Sequence, residues 1–511
     1  MNTLSAFKSG RPLPQIIKIP MLAIGLLSSV LIAASAGADL QTEALYQEHC
    51  ASCHGNDRLG GMGPALLPDN LSRLKKDQAE DAIRNGRPAT QMLGFAGTLN
   101  AESITALAEY IYQPPAQEPV WGKGEIAGSH LLPHPAGSLP DKPAYDADMM
   151  NLFLVVEIGD HHVTLLDGDR MEPIHRFASR YALHGGPKYS PDGRYVYFGS
   201  RDGWITKYDL YNLKVVAEIR AGINMRNIAV SADGNHIMAA NYLPHTLVLF
   251  DSENLNLLEI IPVKNDAGDS SRVSAVYAAP PRSSFIAALK DIPEAWEITI
   301  ENNRANVRRM QTDTWLDDFF FDPGYEHLIG AARDGKHGLV ISLDTGKTIA
   351  TLPLPGMPHL GSGITWNYKG TRVMATPHFR ANAVSIIDTS TWKVIKTLET
   401  AGPGFFMRSH ENSRYAWVDV FFGPNKDKVH VIDKQTLEIV KTLQPDPGKV
   451  AAHVEFDRYG KKLLLSIWDE DGAIIVYDAD TLVEEKRLPM NKPSGKYNVW
   501  NKIHYEEGTS H

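Results

Sequence analysis

Cysteine is almost missing from this chain. Its 511 residues hold two, Cys50 and Cys53, so no disulfide framework supports the fold. Basic runs are missing as well. Lys and Arg number 51 against 60 Asp and Glu, a formal charge of −9, which leaves nothing to neutralise a phosphate backbone and excludes nucleic acid as the expected partner. Apolar runs long enough to cross a bilayer are lacking, which argues against a polytopic membrane protein. What remains is ordinary: 43% hydrophobic and 22% charged residues describe a globular chain, and its length predicts more than one domain.

The first 38 residues read as a targeting segment. Lys8, Arg11 and Lys18 precede the apolar run Met21 to Ala34, and the small residues through Ala38 offer cleavage sites. Removal of 1–38 would take three positive charges and leave a soluble, exported protein, expected in a periplasm with no membrane span. Residues 39–114 carry short helical patterns, the last from Glu102 to Tyr112 with Ile104, Leu107, Ala108 and Ile111 at helical spacing. Residues 115–148 shift to Pro, Gly and Ser and are expected to form a linker draped over the surface.

From residue 149 to 511 the pattern becomes short alternating apolar runs. A strand closing on an acid recurs at Asp167, Asp209, Asp251, Glu297, Asp344, Asp388, Asp433 and Asp478, at intervals of 42 to 47 residues. Turns such as Ser190-Pro191-Asp192-Gly193 precede many copies. A period in the forties with four strands per copy predicts a β-propeller of eight blades. The segment Tyr497 to Tyr505 is expected to join a blade begun near Leu152 and close the ring.

Cys50-Ala51-Ser52-Cys53-His54 is the C-x-x-C-H pattern of covalent haem c attachment. Two thiols one helical turn apart form thioethers, and the adjacent His54 ligates the iron. A zinc half-site would need further ligands, and no other cysteine exists. The stretch Gly86 to Met92, followed by Phe95, resembles the methionine loop of class I cytochromes c, which makes Met92 the expected sixth ligand and Met62 its competitor.

A cytochrome c domain fused to an eight-bladed propeller resembles the cytochrome cd1 family. Tyr181-Ala182-Leu183-His184, Tyr189 to Tyr195, Gly199-Ser200-Arg201-Asp202-Gly203, Met357-Pro358-His359 and Pro493 to Val499 carry the resemblance. It implies a non-covalent haem d1, or its dihydro precursor, on the propeller's central face, with His184 as proximal iron ligand and His359 on the distal side. It places Arg201, Arg226 and Lys290 near the tetrapyrrole's carboxylates, with Tyr242 in the pocket. Arginine suits that task because its planar fork makes two charge-assisted bonds to one carboxylate.

Two departures from the nitrite reductases of this family set the expected activity. Where their first distal histidine belongs, this chain reads Trp315-Leu316-Asp317-Asp318-Phe319, with no histidine. It carries His453 instead, in Ala451-Ala452-His453-Val454, as the haem d1 biosynthesis propellers do. Together with the fused cytochrome, this resembles the dihydro-haem d1 dehydrogenases, which desaturate a propionate to an acrylate. His453 is then the expected base, since imidazole titrates near neutrality, and haem c the electron sink. A carrier handing haem d1 to cytochrome cd1 nitrite reductase, and nitrite reduction itself, are the alternatives. Small electron-transfer proteins are the expected acceptors. His245, His378 and His410 stand near blade ends and are further candidates for the same face.

Overall fold

The computed structural model describes residues 40–504, apart from residues 62, 73, 87–91, 116, 118 and 184. The first part is a small helical unit with helices at 40–49, Ala51–His54, Pro68–Leu71, Lys76–Asn85 and Ala101–Ile111. Asn100 starts the last of these by accepting the Ser103 amide at 2.8 Å. The stripe read from the sequence faces inward: Ile104, Leu107, Ala108 and Ile111 pack with Tyr46, Ala79 and Ile83.

Eight four-stranded antiparallel sheets follow, one per blade. The repeated acids have a local explanation. At six of the eight positions the acid closes the third strand of a blade, and its carboxylate takes up free amides of the turn into the fourth. Asp344 follows its strand and pairs with Arg282, and Glu297 lies within its strand and pairs with Arg282 and Arg308. Asp251 accepts from Asn254 at 2.8 Å and Asn256 at 2.9 Å, and Asp478 accepts from Asp480 and Thr481. Four residues on, Met171, Leu213, Leu255, Trp392, Leu437 and Leu482 take left-handed backbone, which completes the reversal.

The ring closes with Pro493–Asn498 pairing antiparallel to Leu152–Glu157, Leu154 opposite Tyr497. The closing strand therefore lies earlier than the expected 497–505. The reason is Asn498, whose side chain accepts the Asn501 amide and turns Val499–Ile503 into a helix.

The stretch 115–148 also differs from a merely draped linker. Lys123–Gly128 is helical, started by Glu125 reaching back to the Gly122 amide at 2.9 Å. Ile126 is fully buried among Tyr197, Val216, Ile219 and Phe250. Leu131 then exchanges backbone bonds with Glu218 at 2.8 Å, covering the outer strand Lys214–Arg220, an edge that would otherwise be open to pairing.

Strands alternate in direction, so the second-to-third hairpins and the connectors between blades emerge on one face. On that face the innermost strands carry bulges. The ladder skips Arg226, Ser274, Asp317 and His453, each the extra residue against its partner strand. A bulge re-aims the residue it frees.

Candidate functional site

In the helical unit, Cys50 and Cys53 lie one turn apart, with the His54 amide bonded to the Cys50 carbonyl at 2.9 Å. Burial, with Cys53 beside it, pushes the Cys50 thiol up to about 11. His54 is buried, and its Nδ1 lies 2.8 Å from the Pro64 carbonyl. A carbonyl can only accept, so Nδ1 carries the proton and Nε2 keeps its lone pair. Gly63 lies against the ring so closely that a Cβ there would sit 2.7 Å from His54 Cε1. Two thiols, an oriented imidazole and a close-approach glycine fit a covalent haem. Met92 packs, half-buried, on the same core as Cys50 and Phe95. Its competitor Met62 lies outside the described residues, as does His184.

The propeller's central cavity, about 420 Å³, draws its lining from all eight blades and holds His359, His453, Arg226 and Asp318. Its apolar walls include Phe198, Phe405, Phe406 and Trp468. His359 stands between the rings of Phe379 and Phe405, 4.6 and 4.3 Å away. Its Nδ1 donates to the Phe405 carbonyl at 2.5 Å, and its Nε2 lies 3.9 Å from Asp318. Asp318 in turn accepts the Gly361 amide at 2.9 Å. Burial lowers the pKa of His359, more than Asp318 and the Phe405 carbonyl raise it.

His453 is the bulged residue of Ala451–Phe456 and has left-handed backbone, φ 53°. Its ring meets Phe406 at 4.6 Å and Tyr497 at 5.2 Å, and its Nδ1 lies 3.5 Å from Lys496 Nζ. Burial, then the nearby charges of Lys496, Arg408 and Lys502, hold its pKa well below 6.5. The imidazole is therefore neutral at neutral pH.

The three expected carboxylate partners and the expected pocket tyrosine divide. Arg226 lines the cavity, its Nε bonded to the Ser274 carbonyl at 2.8 Å. Arg201 and Lys290 stand together at the rim over Tyr242, 5.8 and 5.9 Å from the ring centre, joined by Arg272 at 5.7 Å. Lys290 already holds Asp317 at 2.9 Å, a carboxylate shared with Arg333 at 3.1 Å. Of the further histidines, His378 is fully buried between the Pro355 carbonyl and Ser385, away from the cavity lining. His410 sits in a hairpin of the opposite face. His245 is on the cavity's face, bonded to Ser270 at 2.8 Å.

Residue-by-residue reading missed Asp318, Arg408, Lys496, Asp419 and the Phe405-Phe406 pair. The Asp317-Asp318 pair stood out only as the place where a histidine is lacking. That Asp317 bonds Lys290 while Asp318 lies beside His359 depends on a bulge that no spacing reveals.

The helical unit seats on the same face as the cavity. Leu59, Ala65 and Leu67 pack on Ile223, Leu243 and Trp121. Arg220 donates to the Leu59 carbonyl at 2.5 Å and lies 4.4 Å from the Trp121 ring centre, while Trp121 Nε1 donates to the Arg220 carbonyl at 3.0 Å. No helix among the described residues is long and apolar enough to cross a membrane.

Comparison with known proteins follows this division. Residues 147–502 match the family described as Cytochrome D1 heme domain, and residues 37–111 the one described as Cytochrome C oxidase, cbb3-type, subunit III. Over 491 residues, the chain is 58% identical to a dihydro-heme d1 dehydrogenase of Pseudomonas aeruginosa, covering 96% of this chain and 99% of that one. A nitrite reductase of Stutzerimonas stutzeri is 25% identical over 525 residues, 90% of this chain and 92% of the relative. Protein NirF of Pseudomonas aeruginosa is 31% identical over 371 residues, 68% of this chain and 90% of the relative. Among solved structures, dihydro-heme d1 dehydrogenase NirN in complex with DHE superposes with a TM-score of 0.88 at 58% identity, covering 90% of this chain and 99% of that one.

Proposed function

The chain belongs to the cytochrome d1 haem domain family, and from that premise we propose that it desaturates a propionate of dihydro-haem d1 to an acrylate. The observation that carries this reading is His453: a neutral imidazole on the wall of the propeller's central cavity, held in a left-handed bulge beside Lys496, Arg408 and Lys502.

The reaction converts –CH2–CH2–COO⁻ to –CH=CH–COO⁻ and releases two protons and two electrons. Covalent haem c, which Cys50, Cys53, His54 and Met92 would hold, would supply a one-electron acceptor, and the substrate's own oxidised iron would take the other electron. The chain's own residues orient the substrate and move its protons. Arg226 within the cavity, and Arg201, Lys290 and Tyr242 at its rim, fix the carboxylates, so that one arm alone meets the base. His184, by the family resemblance, would ligate the substrate's iron, and His359 would face the substrate from the cavity wall.

Lys496, Arg408 and Lys502 depress the proton affinity of His453. A propionate carboxylate brought beside them offsets their charge and raises that affinity as substrate arrives. The base is thus neutral before binding and stronger after it, the order proton abstraction requires.

Nitrite reduction is disfavoured because Asp317 and Asp318 stand where the first distal histidine of the nitrite reductases belongs, Asp318 accepting the Gly361 amide and lying 3.9 Å from His359 Nε2. The protein acts after removal of 1–38, in the periplasm, with a cytochrome c domain at 39–114, a connecting stretch at 115–148 and the substrate propeller at 149–511. It passes electrons to small electron-transfer proteins and haem d1 to cytochrome cd1 nitrite reductase.

The test is an anaerobic absorption time course of oxidised protein mixed with dihydro-haem d1. Wild type is expected to form haem d1 as haem c becomes reduced, while His453→Ala binds the tetrapyrrole without converting it. Binding without conversion by both proteins would instead identify a carrier.

A further inference from the structure

We propose that Asp419 is the positioning residue of this site, one carboxylate that fixes both cavity histidines; the proposal rests on the dehydrogenase reading above. Asp419 ends the strand Tyr415–Asp419 of the seventh blade and is buried. Its Oδ1 accepts the amides of Phe405 at 2.8 Å and Phe406 at 3.0 Å, and its Oδ2 accepts the amide of His453 at 3.3 Å.

Each bond acts on a histidine. The Phe405 peptide that Asp419 anchors presents the carbonyl that orients His359 Nδ1 at 2.5 Å. The Phe406 ring lies 4.6 Å from His453. The third bond holds the His453 peptide itself, whose carbonyl accepts from Lys496 Nζ on its other side. A non-glycine residue in left-handed backbone is strained and persists where its surroundings hold it. Asp419 and Lys496 do so here from both ends of the residue.

Three donors from two separate chain segments need two acceptor oxygens facing opposite ways. Aspartate has them. Asparagine has one oxygen, and its amide nitrogen would face either the His453 amide or the Phe405-Phe406 pair. Burial pushes the Asp419 carboxyl up to about 7 despite these three bonds and the charge of Lys496, a cost that a purely packing residue would not carry.

The experiment compares Asp419→Asn, His453→Ala and the double variant as full-length haem c proteins. Tetrapyrrole Kd is titrated, and haem c reduction is followed in a single turnover. Asp419→Asn is expected to lower the turnover rate about tenfold or more, in line with sub-ångström misplacement of a base. Its Kd should stay within about twofold of wild type. Added to His453→Ala, it should have no further effect. A wild-type rate in Asp419→Asn beside an inactive His453→Ala overturns this proposal alone. An active His453→Ala overturns the base assignment and the proposal together. Should Asp419→Asn fail to fold, Asp419→Glu decides: its extra methylene should slow turnover at unchanged Kd, and a wild-type rate overturns the proposal.

Discussion

His453 owes its chemistry to where the chain puts it. A histidine at an ordinary strand position would titrate near 6.5, and an exposed one would compete with water for its proton. Here burial acts first, then three neighbouring cations, and all four push in the same direction. As the proposed base, His453 acts in its neutral form, so lowering its pKa extends that form toward acid. We expect kcat/KM, which reports the free protein, to show no acid limb from His453 at or above 6.5. The fall near pH 7 is the one Asp419 contributes as its carboxyl takes up a proton, and that fall should be absent in Asp419→Asn. Initial rates of haem c reduction across pH 5–8 in wild type and Asp419→Asn check this, and an acid limb at or above 6.5 that persists in Asp419→Asn would mean that the base lies elsewhere. The histidines and cysteines of the site were legible because their types and flanking residues are distinctive. Asp419 was not. Its partners, Phe405 and His453, lie 14 and 34 residues away on other strands, and an aspartate at a strand end resembles every other acid of the repeat.

That repeat was legible because its cause is local: a turn whose free amides need an acceptor a few residues back reads the same in one dimension as in three. The prediction at this scale follows. Asp251→Ala removes the acceptor of the Asn254 and Asn256 amides, and each bond is worth about 0.5–1.5 kcal/mol. A loss of about 1–3 kcal/mol is expected in urea unfolding, with tetrapyrrole binding unaffected, since this turn lies on the face opposite the cavity. Elements set by one residue against a composition trend were harder to read. Pro, Gly and Ser dominate 115–148, yet Glu125 and the single apolar anchor Ile126 suffice to build a helix on the second blade. Closure of the ring was foreseen, but Asn498 ends the strand where β-propensity alone would have carried it on.

At the scale of the whole molecule, the question is how electrons leaving one domain reach the other, and the seating of the helical unit answers it. Among the described residues the contact comprises five apolar side chains, one guanidinium and one indole. Nothing in the sequence announces it, because Arg220 reads as a strand-end charge and Trp121 as a linker aromatic. Yet Arg220 binds the backbone of the haem-bearing loop at Leu59 while Trp121 clasps the backbone of Arg220, so linker, propeller and cytochrome meet at one residue. A hydrogen bond from a charged, largely buried donor contributes about 1.5–3 kcal/mol, enough to shift a docked unit toward an ensemble of positions. Arg220→Ala should therefore leave tetrapyrrole affinity unchanged, slow haem c reduction, and expose the linker near Trp121 to faster protease cleavage. Cleavage rate and reduction rate should change together. Faster cleavage with undiminished electron transfer would show that transfer does not depend on this seat.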